Sequence, residues 1–161
     1  SIVTNASDID GLELSDVPNL GTYLRIGTHN SKPAVIFEAA NVLVLDGSGG
    51  TDGDTNGVGN LIVGYDENSS DVKTGSHNLV VGSEHTYSSY GGLVAGYNNN
   101  VTGVHASVTG GGLSTASGSV SSVSGGYNST ASGAQSSVSG GQNRTASGEY
   151  DWRAGSLFET N

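Results

Sequence analysis

A rhythm runs through the last two thirds of this chain. Short apolar runs end on Gly64, Gly82, Gly96, Gly110, Gly125, Gly140 and Gly155, at spacings of 18, 14, 14, 15, 15 and 15 residues. Two residues before six of these glycines stand Ile62, Val80, Val94, Val108, Val123 and Val138. A second series, Gly103, Gly118, Gly133 and Gly148, is preceded at the same distance by Val101, Ala116, Ala131 and Ala146. Each repeat therefore reads as two short strands with glycine at the turns, one strand aiming a valine inward and the other a small Val or Ala. A flexible Gly/Ser linker has no reason to hold Val and Ala in phase. Repeats too small to bury a face alone bury it by stacking on their neighbours. A coil of three strands needs a period of about 18, which only the first interval supplies. Two strands in 14 or 15 residues predict an all-β solenoid, a flattened roll of two parallel sheets. Its coils would stack about 4.8 Å apart, and seven of them would make a rod roughly 30 Å long.

Composition agrees with a thin core. Only 34% of the 161 residues are hydrophobic, and 27 are glycine. No cysteine is present, which excludes disulfides and thiolate metal sites. No apolar run is long enough for a membrane helix, so membrane insertion is not expected. A chain with no methionine is expected to be a processed form, and a cleaved secretory signal fits that expectation. The net charge is −10, eleven of the fifteen acidic residues precede Val72, and no charged residue falls between His85 and Gln142. Five basic residues give no electrostatic footprint for nucleic acid or anionic lipid. The uncharged half must stay soluble through Ser, Thr and Asn, a surface suited to packing against copies of itself.

The pattern SSVSGGYNSTASGAQ at 121–135, with NLIVG, NLVVG and GLVAG before it, resembles the head of trimeric autotransporter adhesins of the YadA type. The likeness spans roughly residues 59–155 and extends to related secreted bacterial proteins with SVSGG/NTASG arrays. It implies a left-handed parallel β-roll, a homotrimer, an extracellular or cell-surface location, and adhesion to glycans or proteins of a host or surface. Ser124 and Ser139 depart from it, because those heads favour an apolar residue just before the anchor glycine. The residues themselves also point to self-association. If Ile62, Val80 and Val94 face inward, then Val63, Val81 and Ala95 face out, an apolar column fit for a trimer interface. Further along, the column becomes Thr109, Ser124 and Ser139.

The ends break the rhythm. Residues 1–57 read as an N-terminal β cap or assembly segment, with short strands at Tyr23 to Ile26, Ala34 to Phe37 and Val42 to Leu45. Residues 58–150 carry the repeats. In the closing segment, 151–161, Trp152 replaces a serine and Arg153 replaces the inward valine. Together with Leu157 and Phe158, Trp152 is expected to form a lid on the last coil, since solenoids need caps. The strand-like start Ser1 to Val3 could pair with a neighbouring molecule and build a filament.

Candidate chemistry is sparse. In DGSGGTDGDTNG, residues 46–57, Asp52, Asp54, Asn56 and Gly57 match the first half of a calcium loop. Val63 stands where the closing Glu would be, so a calcium ion would need more ligands from elsewhere; an acidic, Gly-rich turn is the plainer alternative. His29, His77, His85 and His105 form no close metal pair and read as surface or turn residues. Neither a GxSxG elbow nor a phosphate loop is present, and no enzymatic activity is expected. Thr115/Ser117, Thr130/Ser132 and Thr145/Ser147 flank the inward alanines as outward hydroxyl ladders that could order water or meet ice. Tyr65, Tyr97 and Tyr127 follow anchor glycines and could stack on sugars. The expected function is a structural and adhesive module, the head or shaft of a trimeric surface fibre. A filament subunit and a glycan- or ice-binding solenoid are the alternatives.

Overall fold

The structure, a computed structural model, describes residues 20–68 and 70–155. The chain divides into two compact units, one ending at Leu43 and the other beginning at Val44. Residues 44–57, read from sequence as part of the cap, therefore group with the repeats. The reason is local: Gly57 N–H donates to Thr74 O at 3.0 Å, and Asn56 N–H donates to Ser76 Oγ at 3.1 Å.

In the first unit one helical turn, α1 (Leu20–Tyr23), leads into a hairpin of β1 (Leu24–His29) and β2 (Lys32–Phe37). The strands are antiparallel and pair from Leu24↔Phe37 to His29↔Lys32. Asn30 and Ser31 form the two-residue turn with φ of 48° and 62°. Both are positive, as the tight turn that suits the strands' twist requires. Val42 to Leu45, expected as a strand, joins no ladder. The first nineteen residues, including Ser1 to Val3, lie outside the described residues, as do Leu157 and Phe158.

The second unit is a parallel β-solenoid of about six turns. One sheet has seven strands in the order β14 (Trp152–Arg153), β12 (Ser137–Val138), β10 (Ser122–Val123), β8 (Ser107–Val108), β6 (Leu93–Tyr97), β4 (Leu79–Ser83) and β3 (Leu61–Val63). The other has five: β13 (Thr145–Ala146), β11 (Thr130–Ala131), β9 (Thr115–Ala116), β7 (Asn100–Val101) and β5 (Thr86–Tyr87). β3 pairs in parallel with β4, and from β4 onward strand n pairs in parallel with strand n+2, so each coil lays its strands directly on those of the coil before it. Register is strict: Val94↔Val108, Val108↔Val123 and Val123↔Val138 in one sheet, Ala116↔Ala131 and Ala131↔Ala146 in the other.

The core is the seam between the two sheets. Val80, Val94, Val108, Val123 and Val138 enter it from one side, and Tyr87, Val101, Ala116, Ala131 and Ala146 from the other, all buried. Ile62 is in register with Val80 yet 45% exposed, because β3 is the last strand of its sheet. At the opposite end Trp152 pairs with Ser137 and Arg153 with Val138. Trp152 thus takes an outward position, 67% exposed, and does not close over the seam as a lid. Strand alternation decides this: one more rung in register sends the serine-equivalent position outward.

The glycine rhythm also resolves into two functions. Gly82 lies opposite Gly96, and a Cβ on Gly96, Gly111 or Gly126 would collide with the carbonyl oxygen of Gly111, Gly126 or Gly141. Around Gly110, Gly125 and Gly140 the same Cβ would meet nothing. The stacking glycine of the later coils is therefore the second of each pair, and the first is the residue that lengthens the coil from 14 to 15.

Candidate functional site

The outer face of the seven-stranded sheet changes character along its length. Leu61, Val63 and Leu79 are exposed, and Val81, Leu93 and Ala95 beside them are half-buried. The register joins Leu61↔Leu79↔Leu93 and Val63↔Val81↔Ala95 into two adjacent apolar columns. Beyond β6 the rows continue as Ser107, Ser122 and Ser137, where Ser122 Oγ donates to Ser137 Oγ at 3.1 Å. Thr109 Oγ1 donates to Ser124 O at 3.0 Å in the neighbouring row. Trp152 closes the face, its indole N–H held by Ser139 Oγ at 2.7 Å.

The outer face of the five-stranded sheet is polar throughout. Thr86, Asn100, Thr115, Thr130 and Thr145 are in register, so the hydroxyl row found in sequence at Thr115, Thr130 and Thr145 continues as a polar row through the amide of Asn100 to Thr86. Ser117, Ser132 and Ser147 are exposed alongside. At the turn edge after β6, Tyr97, Gly112, Tyr127 and Gln142 are bridged in parallel, one per coil. Tyr97 and Tyr127 are about half exposed, and Tyr65 is 93% exposed. The Glu84 carboxylate beside Tyr97 pushes that phenol above its ordinary value, by its charge first and by hydrogen bonding second.

Inside the roll runs a polar ladder that the sequence reading did not find. Asp66 Oδ1 accepts from His85 N–H at 2.9 Å, and His85 Nδ1 accepts from Asn99 N–H at 3.2 Å. Asn99 Oδ1 then accepts from Ser114 N–H at 2.8 Å, Ser114 Oγ from Ser129 N–H at 3.2 Å, and Ser129 Oγ from Arg144 N–H at 3.3 Å. Each side chain caps a backbone donor of the coil that follows it, so buried polar atoms and buried N–H groups satisfy one another. His85 is fully buried, which corrects its reading as a surface residue. Because its Nδ1 accepts, the proton sits on Nε2, 3.1 Å from Val81 O. The signal was in the spacing: His85, Asn99, Ser114 and Ser129 keep the 14- and 15-residue period of the valines.

Asp46 anchors the glycine-rich loop. Its Oδ1 accepts from Ser48 N–H at 2.8 Å and from Ser48 Oγ at 2.7 Å, and these bonds hold its carboxyl below the usual range. His77 Nε2 accepts from Asp46 N–H at 3.3 Å, while its Nδ1 reaches Thr51 O at 3.3 Å. Asn56 is committed to the backbone, donating to Asp46 O and accepting from Val58 N–H. Asp52 and Asp54 are exposed. Among the described residues no group of three or more His, Asp or Glu side chains is placed to hold a metal ion. The loop is built by turn chemistry in which Asp and Asn bond their own backbone. His29 and His105 are exposed, and His105 packs edge-on against Tyr90 at 5.1 Å.

No family model, curated protein or solved structure gives a significant match to this chain.

Proposed function

We propose that this chain is a non-enzymatic, extracellular structural and adhesive module, in which three solenoids associate side by side as the head or shaft of a surface fibre. The supporting observation is the apolar patch formed by Leu61, Val63, Leu79, Val81, Leu93 and Ala95. It is contiguous, and it gives way along the same sheet to short hydroxyl side chains that can meet a neighbour through hydrogen bonds or water. In this reading the fibre works by rigid display: backbone ladders resist force and proteolysis, and the turn edges make contacts.

The test is the mass in solution. Light scattering is expected to give about 48 kDa, three times the 16.1 kDa of the chain, across a range of concentrations. Val81→Asp is expected to shift the mass to that of one chain while circular dichroism still reports strand. Particles of 16.1 kDa at every concentration would reject the trimer.

A second arrangement, an open filament, draws support from the two ends of the seven-stranded sheet, β3 with its exposed Leu61–Val63 and β14, beyond which no strand among the described residues pairs. Electron microscopy separates the two, since isolated compact particles exclude end-to-end polymer.

A further inference from the structure

The row of turn residues Tyr97, Gly112, Tyr127 and Gln142 has a gap in it. Each is bridged in parallel to the next, so they stand about 4.8 Å apart along the stack. Glycine falls between two tyrosines. A Cβ placed on Gly112 would lie 3.7 Å from Tyr97 Cδ1 and 3.9 Å from Tyr127 Cδ2, ordinary van der Waals contact with both rings. The gap therefore admits a layer one carbon thick, with an aromatic ring on either side and backbone as its floor.

We propose that this slot is a carbohydrate site, taking one neutral pyranose ring between Tyr97 and Tyr127. A pyranose is a disc of C–H groups with hydroxyls on its rim. It needs apolar planes above and below, and hydrogen-bonding groups around the edge. The planes are the two tyrosines. Around them stand the Glu84 carboxylate at the Tyr97 hydroxyl, Gln142 on the next rung, and the exposed amides of Asn128 and Asn143. Asn128 Nδ2 donates to Asn143 Oδ1 at 2.8 Å, which orients that pair and leaves Asn128 Oδ1 and Asn143 Nδ2 turned to solvent groups. The charge pattern favours a neutral sugar: the Glu84 carboxylate at Tyr97 repels an acidic one, and Arg144, the basic residue next to Asn143, has its Nε buried. Because both tyrosines are already half exposed, binding adds buried apolar surface without first opening the roll.

The site deepens the adhesive reading by naming what is gripped, yet it needs no particular assembly. A single chain that binds sugar would end the trimer and leave the slot standing. The test is an NMR titration of the full chain with cellulose-, chitin- and galactan-derived oligosaccharides at about 10 mM, above the millimolar Kd of a weak site. At least one is expected to shift the ring signals of Tyr97 and Tyr127 and the amide of Gly112. Gly112→Ala fills the gap; its φ lies outside the left-handed region, and its tightest contact, 3.2 Å to Tyr97 O, asks that carbonyl to shift by a few tenths of an ångström. That variant is expected to weaken binding about tenfold or more while circular dichroism still reports strand. Tyr127→Ala, at an exposed position, is the second variant and should do the same. Ring signals that stay still with every sugar, or binding undiminished in both variants, would each overturn the proposal.

Discussion

Gly125 and Gly126 are neighbours with opposite obligations. Gly126 has φ of 97°, and a Cβ there would strike the carbonyl of Gly141 in the next coil. Gly125 has open space where its Cβ would be and carries no positive φ. Gly126→Ala is expected to cost more than about 2 kcal/mol in urea unfolding, and Gly125→Ala to change stability by less than about 0.5 kcal/mol. Val120 offers the reverse experiment. Its φ is 57°, a left-handed conformation that a β-branched side chain resists, and its side chain is more than half exposed. The equivalent corner of the next coil is Gln135, also at 57°. Val120→Asn, which keeps the corner, removes the β-branch and suits the left-handed region, is expected to raise stability by about 1 kcal/mol.

At the scale of the strand and the coil, the inward valines and alanines could be read from the period because apolar side chains in a Ser/Gly background stand out. The polar ladder could not be read so easily. Ser114 and Ser129 look like the many solvated serines around them, and what buries them is a donor fifteen residues away in another coil. The same limit hid the division of labour within each Gly-Gly pair, which only the inter-coil register reveals. It also hid Trp152, whose size suggests a lid although the pairing with Ser137 places it outward. The hairpin's strands were legible as strands, but their pairing depended on Asn30 and Ser31, two unremarkable turn residues. The ladder makes a sharp prediction. Asn99→Leu removes the acceptor of Ser114 N–H and the donor to Ala95 O, leaving buried groups unmatched. It is expected to cost about 1–3 kcal/mol for each group left unpaired, whereas Asn99→Ser, which copies the later coils, should cost much less.

Across the whole molecule, charge gathers at the two ends of the solenoid and is absent from the stretch between His85 and Gln142. Asp66, 6% exposed, holds His85 N–H on one side and lies 3.1 Å from Lys73 Nζ on the other, an ion pair. The phenol of Tyr87 faces the same carboxylate. Burial, and then the charge of Asp66, push it up to about 12. The folded state therefore keeps the Tyr87 proton while the unfolded chain releases it near pH 10. The stabilisation is complete below pH 10 and is lost as pH rises through the folded value of about 12. Chemical denaturation between these limits is expected to show stability falling with pH, and Tyr87→Phe is expected to flatten that fall.

The ladder has a direction, and that direction bears on the order in which the coils form. Every rung from Asp66 to Arg144 runs backwards: the acceptor belongs to the earlier coil, and the donor to the coil that comes after it. A polypeptide threading outward with its amino end leading would find each docking point already formed when the next length emerges. Contacts 14 to 19 residues apart close quickly and need no distant partner. Folding then proceeds as one zippered motion, each finished turn offering the next its place.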